Sequence, residues 1–287
     1  MTTPKFSVTG SVQRVLRAVI EYDGTAFAGS QVQPNARTVQ GELEDALNRL
    51  IGERTKVRLA GRTDAGVHAT GQVVAFCFPR ELPCDGGLPE LRRRLNAALP
   101  PDLAIRSLRP AARGFDPRRD ARWRVYRYRI LMNGASRPLE RHRTLEIDEG
   151  LNVESMRVAV ARMVGERDFA ALGSHVHGRT VRDLAEVRVT RNGDLVELRV
   201  TANAFLRRMV RSMVALLIEV GRGRLDPDGV DRLLVGGGRA LHGRAAPARG
   251  LTLERVIYES AMKRRTAHIT AASSGRGRKD QGKPESS

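Results

Sequence analysis

Sulfur chemistry is the first thing this sequence does without. Two cysteines, Cys77 and Cys84, are all it holds in 287 residues. Their spacing fits no zinc finger or ribbon, and no second pair completes four ligands. A disulfide is unneeded in a reducing compartment, so two unpaired thiols are expected. Long apolar runs are missing too: nothing approaches the roughly 20 residues a membrane helix needs. The opening stretch, MTTPKFSVTGSVQR, has no apolar core behind a basic start, which predicts no signal peptide, no membrane partner and a cytoplasmic location. Acids are scarce relative to bases. Lys and Arg number 50 against 32 Asp and Glu, a net charge of +18. The segment from Lys263 to Ser287 holds seven of those cations and two acids, so +13 remains in the body. A chain this basic, with arginine in excess, carries the electrostatic footprint of a nucleic-acid partner. The same balance also suits a solvated surface in an arginine-rich proteome.

What is present suffices for a core. Hydrophobic residues make up 41% of the chain, and the length suits one large domain or two small ones. Residues 1–13 read as a flexible leader, and 263–287 as a disordered basic tail. Strands are predicted over 14–22, 56–60, 72–78, 122–132 and 252–258. A hairpin pairs 181–190 with 195–201 across Arg191-Asn192-Gly193-Asp194. In 122-RWRVYRYRILM-132, alternation puts Trp123, Val125 and Leu131 on one face, and Tyr126, Tyr128, Ile130 and Met132 on the other. Helices are predicted over 38–51, 88–99, 153–164 and 204–220, with a further short one opened by Asp226-Pro227. Helical spacing in 204–220 sends Arg207, Arg208 and Arg211 to one side. Helices and strands mix without strict alternation, and the hairpin signals favour an α+β fold with a largely antiparallel sheet and helices on one face.

The common catalytic engines are absent. No G-x-x-x-x-G-K-[ST] loop cradles a phosphate, and no G-x-S-x-G elbow presents a serine. The cluster 236-GGGR-239 lacks the strand–turn–helix setting of a dinucleotide fingerprint. His175 and His177 could share one side of a strand and hold a metal. No acid or cysteine lies near them in sequence, which favours two surface histidines. His68 stands four residues past Asp64, yet no serine or cysteine nucleophile sits in a matching context for a triad. A two-carboxylate mechanism needs a second acid, and none is local. What remains is Asp64 itself, set in 59-LAGRTDAGVHATGQVVAF-76 between Arg62-Thr63 and Ala65-Gly66. A cation beside a carboxylate favours the ionised form, and an ionised, positioned carboxylate can act as a nucleophile. An aspartate in a glycine turn more often caps its own backbone, and the local residues alone favour that use.

Longer patterns shift the balance. Arg62-Thr63-Asp64-Ala65-Gly66-Val67-His68-Ala69 resembles the catalytic signature of the tRNA pseudouridine synthase A family. Other stretches agree in collinear order. Glu21-Tyr22-Asp23-Gly24 is similar to the family's first strand and turn, and Asn96-Ala97-Ala98-Leu99-Pro100 to its N-x-x-L-P element. The run 122-RWRVYRY-128 resembles its R-x-Y-x-Y strand, and Asp168-Phe169 a D-F pair. The run 203-NAFLRRMVR-211 resembles its N-A-F-x-x-x-M-V-R helix start, and Gly250-Leu251-Thr252-Leu253 the closing G-L-x-L. The similarity covers about residues 14–260, and its order makes it specific. Where the family has G-W-Q after the first strand, this chain has Gly29-Ser30-Gln31.

The resemblance implies two ferredoxin-like halves, 14–114 and 115–262. Their sheets join into one long, mainly antiparallel central sheet flanked by helices, with the active cleft between them. It implies isomerisation of uridine to pseudouridine at positions 38, 39 and 40 of the tRNA anticodon stem-loop, with no cofactor and no metal. It also implies a homodimer with one tRNA lying across both subunits. Asp64 is then the catalytic aspartate: it attacks the nucleotide, the N-glycosidic bond breaks, uracil turns, and C5 bonds to C1′. Tyr126 stacks on the target base and is a candidate to handle the C5 proton. Arg211 pairs with Asp64 and keeps it ionised. Arg62 helps flip the nucleotide or holds its phosphate. Arg118 and the loop bearing His175, His177 and Arg179 stand where the family contacts tRNA. Phosphate contacts of this kind supply affinity without reading sequence, which suits recognition by shape.

Overall fold

The computed structural model describes residues 14–258, apart from 53, 79–85, 135, 175–177 and 236–244. It is built from two rounds of strand–helix–strand–strand–helix–strand. The first comprises β1 (Arg14–Tyr22), α1 (Val39–Ile51), β2 (Arg58–Leu59), β3 (His68–Phe78), α2 (Gly87–Ala98) and β4 (Leu103–Pro110). The second begins with β5 (Trp123–Leu131), the short β6 (Leu145–Glu146), α3 (Val153–Ala161) and the short β7 (Gly165–Asp168). It continues through β8 (Val181–Asn192), β9 (Leu195–Ala202), α4 (Met209–Gly221), α5 (Gly229–Val235) and β10 (Leu251–Ile257). Each round adopts the strand order of a ferredoxin-like unit: β4-β1-β3-β2 in the first and β10-β5-β9-β8 in the second. They join where β10 runs parallel to β3, with Thr252 opposite His68 and Leu253 opposite Ala69. The result is a ten-stranded sheet, antiparallel except at β3–β10 and β5–β6. This is the α+β architecture that the sequence pattern implies.

Local chemistry explains the elements. β1 buries alternate residues, Leu16, Ala18, Ile20 and Tyr22, in one hydrophobic cluster with Val39, Leu43 and Leu47 of α1. α1 starts at Thr38, whose hydroxyl accepts from the Gly41 N–H, and stops at Gly52, which takes φ 78°. The β8–β9 hairpin turns on Gly193-Asp194 alone, with Gly193 at φ 58°. β5 separates its faces as alternation requires. Tyr126, Tyr128 and Ile130 join the main hydrophobic cluster, whereas Trp123, Val125 and Leu131 are buried outside it. On that second face charges are matched across strands. Arg127 and Arg129 reach Glu197 at 3.4 and 3.3 Å, Arg127 and Arg199 reach Glu254 at 3.2 and 2.7 Å, and Arg129 also pairs with Glu140.

Several expectations change. The helix expected over 204–220 begins only at Met209, because Arg208 adopts left-handed geometry (φ 61°) and breaks the run. Arg207 and Arg208 therefore precede the helix and do not share a helical face with Arg211. β3 begins at His68, earlier than residue 72, which shortens the turn that carries Asp64. β4, β6 and β7 add strands that the sequence pattern does not signal. The leader 1–13 and the tail 263–287 lie outside the described residues. No helix among the described residues is long and apolar enough to cross a membrane.

Candidate active site

Asp64 lies in the loop between β2 and β3, and that loop is braced from behind. The chain leaving β1 passes so close that a Cβ on Gly24 would stand 2.1 Å from the Val67 carbonyl oxygen. Ser30 is fully buried and bonds Thr63 twice: its N–H donates to the Thr63 carbonyl (3.1 Å), and its Oγ accepts from the Thr63 N–H (2.8 Å). The Thr63 hydroxyl in turn meets the Tyr22 hydroxyl at 2.8 Å. Ser30, at the place of the resembled family's tryptophan, is thus itself a support of the loop. The Val67 N–H donates to the Asp64 carbonyl at 3.1 Å and closes the turn through Gly66, at φ 78°.

The Asp64 carboxylate does not cap this turn. Among the described residues its side chain has one hydrogen-bond partner: Arg211 Nη1 donates to Oδ2 at 3.1 Å. Arg211, on the first turn of α4, is anchored by a second bond from Nε to the Ala246 carbonyl at 2.7 Å. The pair is half-buried, with side-chain exposures of 28% for Asp64 and 15% for Arg211, so solvent screens it only in part. It opens onto a cleft of about 800 Å³ whose lining includes Arg62, Arg118, Arg124, Tyr126, Phe205, Arg207 and Arg208. Among the described residues that line it, Asp64 is the only acid.

Tyr126 enters from β5. Its ring packs edge-on against Phe205, with centroids 5.0 Å apart and planes at 86°. Burial pushes its phenol well above the ordinary tyrosine range. Tyr22 and Asp64 push the same way and Arg124 opposes. The group is therefore a neutral phenol at any working pH. Arg62, Arg118, Arg207 and Arg208 are exposed along the cleft, and among the described residues none has an acidic partner within ion-pair distance. They contrast with Arg127, Arg129 and Arg199, each matched by a glutamate on the opposite face.

Of the residues named from the sequence, Asp64, Tyr126, Arg211, Arg62 and Arg118 converge on this one cleft. Arg179 does not line it; it is exposed and pairs with Glu166 at 2.9 Å. His175 and His177 lie outside the described residues. His68 has no bond to Asp64. It is buried, its Nδ1 accepts from the Gly24 N–H at 3.0 Å, and its Nε2 lies 3.1 Å from the Arg249 carbonyl. Phe205 and Arg124 are cleft residues that residue-by-residue reading passes over, and Arg207 and Arg208 are singled out there only for their helical spacing; all four lie in the two motifs that contain Tyr126 and Arg211. Among the described residues no group of three or more His, Cys, Asp or Glu is placed to hold a metal ion.

Comparisons with known proteins show the family. A family model described as tRNA pseudouridine synthase matches residues 18–116 and 159–259. A tRNA pseudouridine synthase A of Geotalea daltonii is 40% identical over 247 residues, spanning 85% of this chain and 100% of that protein. That of Geotalea uraniireducens is 43% identical over 247 residues, with the same coverage of 85% and 100%. That of Myxococcus xanthus is 41% identical over 254 residues, 88% of this chain and 94% of the relative. Among solved structures, a chain in a Cbf5-Nop10-Gar1 complex overlaps 83% of this chain and 58% of its own length at 11% identity. Its TM-score of 0.33 is too low to carry weight. The chain belongs to the tRNA pseudouridine synthase family. It is an enzyme, an isomerase that converts uridine to pseudouridine in tRNA.

Proposed function

We propose that the cleft acts on uridines 38, 39 and 40 of the tRNA anticodon stem-loop, with Asp64 as the nucleophile on a flipped-out uridine. The observation that carries this reading is the Asp64–Arg211 pair, set in a cleft where Asp64 is the one acid among the described lining residues and six arginines join it. An extruded base leaves its stack at a cost of a few kcal/mol. Tyr126 and the half-buried Phe205 line the cleft and offer a replacement stack, and Arg62 occupies or guards the vacated space. Arg211 holds the carboxylate in place through its 3.1 Å hydrogen bond. The carboxylate attacks the nucleotide and the N1–C1′ bond breaks. Uracil turns within the cleft, C5 bonds to C1′ as the carboxylate is released, and the C5 proton passes to solvent while N1 takes one up. Reactant and product are isomers, so the sequence of steps needs no co-reactant. Because burial keeps Tyr126 protonated, it serves in this reading as a neutral stacking ring.

The arginines without acidic partners, Arg62, Arg118, Arg207 and Arg208, supply phosphate contacts, which orient the RNA without reading bases. His175, His177 and Arg179 are taken as further tRNA contacts on the family resemblance. A homodimer with one tRNA across both subunits, action in the cytoplasm, and a division into halves 14–114 and 115–262 complete the proposal. The division is supported by β4 ending at Pro110 and β5 beginning at Trp123.

The test is tritium release from tRNA labelled at C5 of uridine, with no metal or cofactor added, for wild type and Asp64→Asn. Release by wild type alone, with tRNA binding nearly intact in the variant, is expected. Equal release by the variant would remove Asp64 from the chemistry, and equal loss of binding would make it structural. Substrates with uridine at only one of positions 38, 39 and 40 resolve the site of action.

A further inference from the structure

We propose that Arg124 is the positioning residue of this cleft, a buried guanidinium that fixes the three loops presenting groups to the tRNA. The inference rests on the reading that the cleft is the reaction site. Arg124 is the second residue of β5 and is buried. All four of its terminal N–H bonds end on backbone carbonyls. Nη1 donates to Ala121 at 2.9 Å and to Asn203 at 2.6 Å. Nη2 donates to Ala60 at 3.2 Å and to Arg118 at 2.5 Å.

These acceptors belong to separate parts of the chain. Ala60 opens the loop that carries Arg62 and Asp64. Arg118 is itself a cleft arginine, and Ala121 ends its loop. Asn203 leads into Phe205, whose ring holds Tyr126, and then into Arg207 and Arg208. One side chain thus connects the first ferredoxin-like unit, the linker and the second unit directly under the site.

The choice of arginine follows from geometry. A guanidinium is a rigid planar fork whose donors diverge in fixed directions. An ammonium has three donors clustered on one atom and cannot meet four carbonyls spread around a plane. The choice of carbonyls, and not a carboxylate, also has a consequence. A buried cation is tolerated only when its donors are satisfied. Arg127 and Arg129, on the same strand, are instead neutralised by the glutamates they pair with. Among the described residues Arg124 has no ion-pair partner; it is satisfied by dipoles and keeps its charge, and it lines the cleft where phosphate must approach. Burial lowers its affinity for the proton, with Tyr258 and Tyr126 opposing, yet a guanidinium stays charged at any working pH.

The experiment uses the full chain and two variants, R124K and R124A. Turnover is read by tritium release, tRNA affinity by filter binding, and folding by far-UV circular dichroism and thermal melting. A positioning role predicts folded variants with tRNA affinity little changed and kcat lowered about 100-fold, the cost of a small misplacement of catalytic groups. It also predicts that guanidinium chloride, well below unfolding concentrations, restores turnover to R124A, while methylammonium chloride at equal ionic strength does not. Wild-type kcat in R124K overturns the proposal, and so does the absence of rescue in a folded R124A. If R124A does not fold, R124K decides: folded, binding and slow supports the role, whereas unfolded makes Arg124 a packing residue only. Asp64→Asn in the same assay separates the two readings. An active Asp64→Asn removes the reaction site itself; a dead Asp64→Asn beside active Arg124 variants removes only the positioning role.

Discussion

Asp64 and Tyr126 share a cleft, but their surroundings prepare them differently. The aspartate faces a guanidinium, while the phenol is buried and held above its ordinary range. The sign has a kinetic consequence. A tyrosinate base would be a vanishing fraction at neutral pH, growing about tenfold per pH unit, and turnover would climb with it. A neutral stacking phenol predicts a flat profile across the neutral range, which a pH series of tritium release measures directly. Tyr126→Phe keeps the ring and is expected to lose less than Tyr126→Ala. The difference in kcat/KM should be on the order of 1–3 kcal/mol, the worth of one stacked base. Equal losses in the two variants would take the stacking role away from the ring. Asp64 shows why single residues are hard to read in sequence. Its neighbours suit a turn cap as well as a free carboxylate, and its partner Arg211 lies 147 residues away, beyond any local pattern. Ser30 shows the converse, since nothing in Gly29-Ser30-Gln31 announces a buried hydroxyl bracing Thr63.

At the scale of elements, apolar periodicity carries most of the fold. α1 and β5 appear where their 3.6- and 2-residue patterns place them. α4 starts late because Arg208 bends the backbone, and every residue of 203-NAFLRRMVR-211 is compatible with helix, so no composition signal marks the break. β4 is missed because its short alternation lies between prolines that read as loop. Junctions offer the sharpest tests. Gly71 sits on β3 where β10 crosses, and a Cβ there would stand 2.1 Å from the Glu254 carbonyl oxygen. Gly71→Ala should therefore cost stability near the upper end of the ~1–3 kcal/mol typical of overpacking. A thermal melt unchanged from wild type would show that the strands part freely. A second junction is ionic. Arg37 grips Asp102 with two bonds, at 2.7 and 2.8 Å, and ties the segment after β1 to the turn before β4. Arg37 holds the Asp102 carboxyl below its usual value of 3.8. The contribution is thus fully present above pH 3.8 and lost as pH falls through the lower folded value. Asp102→Asn should cost at most about 1 kcal/mol at neutral pH, because the pair is partly exposed. It should also flatten the acid limb of a stability–pH curve; an unaltered limb would mean that the pair contributes nothing.

At the scale of the whole molecule, charge is plain in the sequence and its placement is not. A net +18 points to nucleic acid, but only folding separates arginines with glutamate partners from those left to face solvent in the cleft. The expected signature is a steep fall of tRNA affinity with salt, from counterions released as phosphates bind. Arg207→Ala and Arg208→Ala should each reduce the log–log salt slope by about one. A flat salt dependence in the wild type would overturn the phosphate-binding role of these arginines.

The position of β10 carries one more consequence. It is made last of the ten strands, at Leu251–Ile257, yet in space it is the seam between β3 and β5. A nascent chain halted on the ribosome before that point has two half-built sheets, each with an open inner edge able to recruit foreign strands. Synthesis therefore passes through an aggregation-prone stage that ends only when β10 is released and slots between them. Loss of Leu251–Ile257 should therefore be far more harmful to this enzyme than the removal of one seven-residue strand from a sheet edge.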